Sequence, residues 1–393
     1  MLKKILVSVA LLVLAVLAGL QWWLPDVLEA EINTSAPHAP YVISDDALRL
    51  HEQLFVADLH TDSLLWKRDL LRRGDVGHVD LPRLQAGNVA LQVFSATTKS
   101  PSGQNYESND ADSDNITNLA MVSLWPLRTW GSLYERAVYQ LEKLLTFSER
   151  SKGQLKVIRY REDMQELVAA RDSGDEVVGA MYLIEGAHPL QGNIENLQRL
   201  YDQGLRIVGI THFFDNELGG SLHGKSGAAL TPFGKQVIAR ANQLGMIIDI
   251  AHASPAAVQD ILALSDRPTI LSHGGFKGVC DKNRNLEDGL MQAFAARGGI
   301  IGVGYWDGAV CDATPAGIVR AIRYGIDLLG VDHVALGSDY DGSTAVSFDT
   351  SELVVLTQEM LNQQFTEIEI RKVMGENVRD FMLQQLPARA GDR

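Results

Sequence analysis

Short apolar runs recur along most of the chain, and longer segments with helical spacing follow them. Runs that are apolar throughout, rather than at alternate positions, are typical of strands buried on both faces, as in a parallel sheet. Segments such as Pro255 to Leu264 and Ala316 to Leu329 supply the crossover helices. Eight runs are present: Leu54 to Leu59, Val89 to Phe94, Val177 to Ile184, Arg206 to Thr211, Met246 to Ala251, Thr269 to Ser272, Gly299 to Tyr305 and Val334 to Ser338. The pattern predicts an α/β fold, a closed (β/α)8 TIM barrel.

An open doubly wound sheet is the competing architecture, but eight strands and the lack of a glycine-rich dinucleotide loop disfavour it. The long stretch from Thr97 to about Asp175 interrupts the regular alternation between strands 2 and 3. Its first part, Ser100 to Asn118, is polar and acidic and is predicted to be an exposed loop. Its later part, Leu127 to Leu167, has helical spacing and predicts a helical insertion packed against the barrel.

The N-terminus differs from the rest of the chain. Lys3 and Lys4 precede an uncharged, almost wholly apolar stretch from Ile5 to Leu24, which is long enough to cross a membrane. The basic residues before it place the body outside the cytoplasm, in the periplasm. We expect residues 1–24 to be a transmembrane anchor, with a cleaved signal peptide as the alternative. Residues 25–45 are predicted to be a linker and residues 46–393 the barrel domain.

Charge and cysteine content narrow the partners and the compartment. The 393 residues carry 35 Lys+Arg against 49 Asp+Glu, a net charge of −14, and no basic run offsets it. This argues against a nucleic-acid partner. Cys280 and Cys311 fit either a disulfide in an oxidising compartment or two buried thiols. A homodimer is compatible with the sequence.

The candidate chemistry lies where the apolar runs end. Catalytic residues of barrels come from the carboxyl ends of several strands. Four histidines and several carboxylates occupy such positions, whereas the other six histidines have no comparable placement. Histidine, aspartate and glutamate together are metal ligands, and without thiolates they suit Zn²⁺, with Mn²⁺ or Co²⁺ as substitutes. The strongest candidate ligands are His60, Asp62, Glu185, His252 and His273.

Five candidate ligands exceed what one tetrahedral zinc ion needs. A central carboxylate can bridge two metal ions, and such a pair activates a bridging water and polarises a carbonyl oxygen. The sequence therefore predicts a binuclear zinc hydrolase.

These residues resemble the membrane dipeptidases, or renal-type dipeptidases, of the amidohydrolase superfamily. The resemblance runs from about Phe55 to Arg379. Further support comes from the stretches 230–234 and 375–377. The elements that carry it are His60-Thr61-Asp62, Glu185-Gly186, Thr211-His212, Ile250 to Ser254, Ser272-His273, Arg284-Asn285 and Gly337 to Gly342.

The resemblance implies a role for each site residue. His60 and Asp62 would hold one zinc ion, His252 and His273 the other, and Glu185 and a water or hydroxide would bridge them.

The remaining roles concern the substrate. His212 would stabilise the oxyanion and Arg284 would bind the free carboxylate of the substrate. Asp339 would carry the proton that moves to the leaving amine. Asp341 competes with Asp339 for that role, although Asp341-Gly342 is also typical of a turn.

The expected reaction is hydrolysis of dipeptides, L-Xaa-L-Xaa and, by resemblance, L-Xaa-D-Xaa. The Ser100 to Asn118 loop departs from the mammalian enzymes and leaves the substrate preference open. The alternative is another metallohydrolase on the same site, such as a lactonase, a β-lactam or phosphoester hydrolase, or a deaminase. A non-catalytic binding protein is disfavoured by the complete ligand set.

Overall fold

The eight apolar runs form eight parallel strands of a closed barrel in the computed structural model, which describes residues 23–389 together with Lys4, Ser8 and Gly19. In chain order the strands are β1 (Thr34–Ser35), β2 (Val56–Thr61), β3 (Val89–Thr97), β4 (Leu155–Val157), β5 (Val178–Glu185), β6 (Ile207–Gly209), β7 (Ile247–Asp249), β8 (Ile270–Gly274), β9 (Ile300–Val303), β10 (Val334–Leu336) and β11 (Ala345–Val346). The order β3-β2-β10-β9-β8-β7-β6-β5 is closed by pairing of β3 with β5. The predicted barrel is confirmed.

Adjacent residues of β5 show why the runs lack alternation. Tyr182 and Ile184 belong to one buried hydrophobic cluster, and Met181 and Leu183 belong to another. Both faces of the strand are therefore buried, so apolar side chains are needed at every position until Glu185.

Helices surround the strands, and their starts follow from sequence. Ser254 accepts a hydrogen bond from the backbone N–H of Ala257 (3.0 Å), and Pro255 opens the helix that follows. The helices are residues 23–32, Asp45–Glu52, Leu81–Ala86, Asn115–Val122, Leu133–Arg150, Arg161–Asp172, Glu195–Gln203, Pro232–Leu244, Pro255–Leu264, Asp288–Ala295, Asp307–Val310, Pro315–Leu329, Val354–Asn362, Glu367–Arg371 and Asn377–Gln385.

The insertion between β3 and β5 is mainly helical, as predicted, but it also contains β4, which pairs in parallel with β5. Its long helix Leu133–Arg150 is buried along one side and receives a hydrogen bond from Tyr182 of the barrel at Ala137 O (2.6 Å). The loop before it is exposed in most positions, yet Asn109 is buried. The insertion is therefore attached to the barrel wall.

The N-terminal region differs from the prediction in part. Most of the predicted span from Ile5 to Leu24 lies outside the described residues, and among those described no helix is long and apolar enough to cross a membrane. The predicted linker, residues 25–45, is helical up to residue 32, and β1 within it pairs with β11. Polar composition indicated a free linker, but two of its polar side chains, Glu29 and Asn33, are buried against the barrel.

Cys280 and Cys311 are joined by a disulfide, and their Cα atoms lie 5.3 Å apart. Of the two alternatives that the sequence left open, the structure has the bonded form. The bridge links the loop after β8 to the end of the helix Asp307–Val310, both near the carboxyl ends of the strands.

Candidate metal centre and active site

The carboxyl ends of the barrel strands bring together all seven residues that were predicted to bind metal or carry out chemistry around it. His60, Glu185 and His273 lie in β2, β5 and β8, at or next to their ends. Asp62, His212, His252 and Asp339 follow the ends of β2, β6, β7 and β10. All seven side chains are buried or nearly so.

Glu185 lies at the centre of this cluster. Its Oε1 atom lies 3.1 Å from Nε2 of His252, 3.4 Å from Nε2 of His273 and 3.6 Å from Nε2 of His60. Its Oε2 atom lies 3.3 Å from Nε2 of His212. One carboxylate therefore faces four imidazoles, which is the placement expected of a bridging ligand.

A second group of carboxylates adjoins His60. The Nε2 atom of His60 lies 3.8 Å from Oδ2 of Asp62 and 3.8 Å from Oδ1 of Asp339. Thr97 Oγ1 lies 3.0 Å from Asp62 Oδ1 and 2.9 Å from Glu185 Oε2, and thus spans the two carboxylates. Gly342 leaves room here, because a side chain at its position would strike Asp339.

Ser272 fixes the orientation of two of the imidazoles. Its hydroxyl donates to Asp249 Oδ2 (2.5 Å), and its oxygen lies 2.9 Å from Nδ1 of His273 and 3.3 Å from Nδ1 of His60. Since the hydroxyl proton is used by Asp249, the oxygen accepts from the Nδ1–H groups. Both rings then direct their Nε2 atoms to the cluster, the arrangement that outer hydrogen bonds impose on metal-binding histidines.

The electrostatics agree with this orientation. Burial, reinforced by nearby cationic groups, holds the pKa of His252 and of His273 well below the ordinary range. Both imidazoles are therefore neutral, the form that binds metal. Burial works against protonation of His60 as well, but Glu185 and Asp62 outweigh it and raise the pKa of His60 to about 10. The carboxylates around His60 therefore favour a positive charge at this ring, either a proton on it or a metal ion bound to it.

These observations fit a metal centre. Three overlapping triads have ligand atoms within 4.8 Å of one another, and two of them share Glu185. The buried Nε2 atom of His60 has no hydrogen-bond partner among the described residues, although it points into the carboxylates. A buried polar atom of this kind calls for a partner such as a metal ion. The triads are His60, Glu185 and His273; Glu185, His212 and His252; and His60, Asp62 and Asp339.

Arg284 is buried in the loop after β8. It donates from Nη2 to the backbone oxygen of His273 (2.8 Å) and stacks over Trp306, with 5.4 Å from the guanidinium carbon to the ring centroid. These two contacts leave further N–H donors, and Arg284 lines the same cavity as Glu185 and His212. A fixed guanidinium with free donors suits a carboxylate ligand.

The cavity is small, about 90 Å³, and Glu185, His212 and Arg284 are among the residues that line it. One wall comes from the Ser100 to Asn118 region, predicted as an exposed loop, which contributes Gln104, Tyr106 and Ile116. Tyr106 accepts a hydrogen bond from Trp306 Nε1 (2.7 Å).

Sequence reasoning missed two cavity residues that its own rule could have found. Thr97 ends β3, three residues beyond the second apolar run, and Trp306 follows the seventh run, so both occupy carboxyl ends of strands. Tyr106 had no such signal, because only the tertiary structure brings its loop over the barrel.

The structure also separates Asp339 from Asp341. Asp339 faces His60, whereas the Asp341 carboxylate accepts from Ser63 Oγ (2.5 Å) and from the backbone N–H of His78 (2.6 Å). Asp341 also pairs with Arg68. Its oxygens are thus committed to the surrounding protein, and only Asp339 is placed beside the metal cluster.

The family model described as membrane dipeptidase, peptidase family M19, matches residues 44–385. The chain belongs to this membrane dipeptidase family. The family match, the metallopeptidases among similar structures and the clustered ligands together make it a metal-dependent dipeptidase.

One relative matches about half of the chain. An uncharacterized protein in the pqqA 5′ region of Klebsiella pneumoniae is 34% identical over 218 residues, which is 52% of this dipeptidase and 79% of that protein.

Two solved structures share the fold. A metallo peptidase from Rhodobacter sphaeroides, liganded with a phosphinate mimic of the dipeptide L-Ala-D-Ala, has a TM-score of 0.70 at 23% identity, covering 85% of this chain and 99% of that one. The probable dipeptidase PvdM from Pseudomonas aeruginosa has a TM-score of 0.71 at 19% identity, covering 87% and 97%.

Proposed function

We propose that this chain is a binuclear zinc dipeptidase that hydrolyses dipeptides with a free carboxylate, including those with a D-residue at the carboxyl side. The observation that carries the proposal is Glu185, whose two oxygens face four histidine Nε2 atoms at 3.1 to 3.6 Å. Several imidazoles share one carboxylate here, and such a set suits two metal ions better than one.

His60 and Asp62 would hold one zinc ion, His252 and His273 the other, and Glu185 both. Bound zinc lowers the pKa of a water and polarises the carbonyl of the peptide bond. The absence of cysteine from the ligand set agrees with a hydrolytic rather than a structural zinc site.

Chain residues then position the substrate. Arg284 binds the terminal carboxylate through its free N–H donors, so its distance from Glu185 sets the length of the peptide that fits. His212 lies beside Glu185 Oε2 and is placed to donate from Nε2 to the oxyanion of the attacked carbonyl. The fixed distance between Arg284 and Glu185 gives the enzyme a preference for dipeptides over longer chains.

Asp339 handles the proton. Burial raises the pKa of its carboxyl group well above the ordinary value, against the opposing effect of His60. A carboxyl group with a raised pKa beside the ligand cluster can accept a proton and return it to the leaving amine.

The proposed substrate stereochemistry rests on resemblance and on one neighbour. The Rhodobacter sphaeroides metallo peptidase was solved with a mimic of L-Ala-D-Ala, and the fold is shared. We extend this to the present chain as a proposal. The side chains of the dipeptide would lie against the wall of the cavity that Gln104, Tyr106 and Ile116 form.

We further propose that the catalytic domain works in the periplasm, attached to the membrane by the apolar N-terminal segment. Support comes from the Lys3-Lys4 pair before that segment and from the disulfide between Cys280 and Cys311, since disulfides persist in oxidising compartments.

The test is a stereochemical dipeptide screen. The zinc-loaded full chain in detergent is assayed with matched L,L- and L,D-dipeptides, the corresponding tripeptides, and dipeptide amides. We expect hydrolysis of both dipeptide series and little of the tripeptides or amides. Turnover of lactones or phosphoesters with no dipeptide hydrolysis would instead support the alternative metallohydrolase on the same site.

A further inference from the structure

The loop that carries Asp339 has an unfavourable backbone conformation. Asp339, Asp341 and Ser343 have φ values of 59°, 63° and 63°, all in the left-handed region. Such a conformation is unfavourable for a residue other than glycine unless its surroundings compensate. Three in five consecutive positions mean that the loop, residues 339–346, depends on contacts outside itself.

One set of contacts comes from the barrel. In addition to its carboxylate bonds, Asp341 accepts at its backbone oxygen from Trp66 Nε1 (2.7 Å). Its ion-pair partner Arg68 donates from Nη1 to the backbone oxygen of Val79 (2.7 Å). Gly77 lies against the Arg68 guanidinium so closely that a side chain there would strike it. Arg68 is thus held in a confined position under the loop.

The second set comes from the segment that follows the predicted membrane span. Asn33 Oδ1 accepts from the backbone N–H of Ser343 (2.8 Å). Next to it, β1 pairs with β11, and the N–H of Ala36 donates to Val346 O (2.8 Å). Thr344, between these contacts, donates from Oγ1 to the backbone oxygen of Asp339 (2.8 Å). Two hydrogen bonds and the peptide unit between Ser343 and Thr344 therefore connect Asn33 to the backbone of Asp339.

Glu29 connects the same segment to Arg68. Its Oε1 atom lies 2.5 Å from Arg68 Nε, and its side chain is only 1% exposed. Arg68 lies between Glu29 and Asp341, so the buried guanidinium has a carboxyl group on each side. Removing one partner of such a buried set is costly, because the remaining charges lose compensation.

We propose that Asn33 and Glu29 are positioning residues for the reaction, holding Asp339 in place through Ser343 and Thr344 and through Arg68 and Asp341. The inference rests on the proposed role of Asp339 in dipeptide hydrolysis. The segment between the predicted span and the barrel is then part of the support of the active site rather than a tether alone.

The first test uses a matched pair at Asn33. Asn33→Ala removes the acceptor for the Ser343 N–H, whereas Asn33→Asp keeps an acceptor oxygen. With the full zinc-loaded chain, we expect Asn33→Ala to lower kcat by about 10- to 100-fold, as for a misplaced catalytic group, with KM and bound zinc changed less than about twofold. Asn33→Asp is expected to recover most of kcat.

The second test uses a matched pair on the helix. Glu29→Gln and Glu31→Gln make the same substitution on the same helix, but only Glu29 is buried beside Arg68. We expect Glu29→Gln to lower kcat and to change the pH profile of kcat, and Glu31→Gln to behave as wild type.

Hydrogen exchange provides a readout that does not depend on activity. Amides of residues 339–346 are expected to exchange faster in Asn33→Ala and Glu29→Gln than in wild type or Glu31→Gln. The positioning role would be overturned if amide exchange stayed unchanged in these variants, or if kcat stayed unchanged in Asn33→Ala. It would also be overturned if bound zinc and melting temperature fell in proportion to kcat. A wild-type chain that fails to hydrolyse any dipeptide would contradict the proposed function, and exchange would still decide whether Asn33 and Glu29 hold the loop.

Discussion

The Nε2 atoms of His252 and His273 lie 2.9 Å apart, and both face Oε1 of Glu185. Burial keeps the pKa of both imidazoles low, so neither ring is expected to carry a charge. Ser272 directs the Nε2 lone pair of His273 toward this point. Two imidazole nitrogens this close share either a proton, as an N–H···N hydrogen bond, or a metal ion.

The first prediction concerns this pair. His252→Ala removes one of the two converging nitrogens, so we expect bound zinc to fall from two ions per chain to about one, and dipeptide hydrolysis to be lost. Elemental analysis of the purified variant measures the zinc. His223→Gln is the matched control, because His223 is buried with its ring 5.4 Å from that of His252 but lies outside the ligand triads. Equal zinc content in both variants would contradict the assignment.

The second prediction concerns Arg284. Arg284→Ala removes the proposed carboxylate contact, and we expect kcat/KM for dipeptides to fall by about 10²- to 10³-fold, the effect of losing a charged hydrogen-bonded pair. The loss should be far smaller for dipeptide amides, which lack the carboxylate. An equal loss for both substrates would show that Arg284 supports the fold, through His273 and Trp306, rather than the substrate.

The third prediction contrasts two aspartates in one loop. Asp339→Asn removes the proton carrier, so kcat should fall by about 10²- to 10⁴-fold with zinc content and melting temperature near wild type. Asp341→Asn disturbs a buried ion pair and its hydrogen bonds, so the melting temperature should fall. Kinetics and thermal unfolding of both variants check this contrast. A fall in kcat confined to Asp341→Asn, with a fall in melting temperature confined to Asp339→Asn, would contradict this assignment of roles.

The fourth prediction concerns stability against pH at a histidine far from the metal centre. His51 is buried, with Nδ1 2.8 Å from Thr357 Oγ1 and Nε2 3.1 Å from Gly87 O. Burial lowers its pKa to about 4, so the folded state binds this proton more weakly than the unfolded state. The stabilisation is complete above pH 6.5 and is lost as the pH falls toward 4.

His51→Gln removes this titration. Urea unfolding at pH 7.5 and pH 4.5 should show that the free energy of unfolding falls by roughly 2–3 kcal/mol more in wild type than in the variant over this interval. His38→Gln, at an exposed histidine, is the control and should follow wild type. A variant that loses as much stability as wild type would show that His51 does not titrate in this interval.

Much of the barrel could be predicted because its strands are buried on both faces. That burial requires continuous apolar runs, and the run from Val177 to Ile184 matches β5 within one residue. Strand β4 was missed, because Leu155–Val157 is short and lies in a stretch whose apolar residues have helical spacing. Three residues give too little periodicity to distinguish a strand.

The metal cluster could also be predicted, because parallel strands place their carboxyl ends together whatever the side chains are. What the sequence did not reveal depends on contacts between distant segments. Glu29 has the appearance of a solvated acidic residue after an apolar stretch, and only the fold places it beside Arg68. Tyr106 is in a polar loop, and only the fold places it against Trp306.

The most direct test of the binuclear account is a zinc titration of the metal-free full chain, followed by dipeptide hydrolysis. If Glu185 bridges two ions, the rate should rise until about two zinc ions are bound per chain and then stay constant. The Glu185→Ala variant should not reach the wild-type rate at any zinc concentration. A wild-type rate that reaches its maximum at one ion per chain, or that is unaffected by Glu185→Ala, would contradict the account.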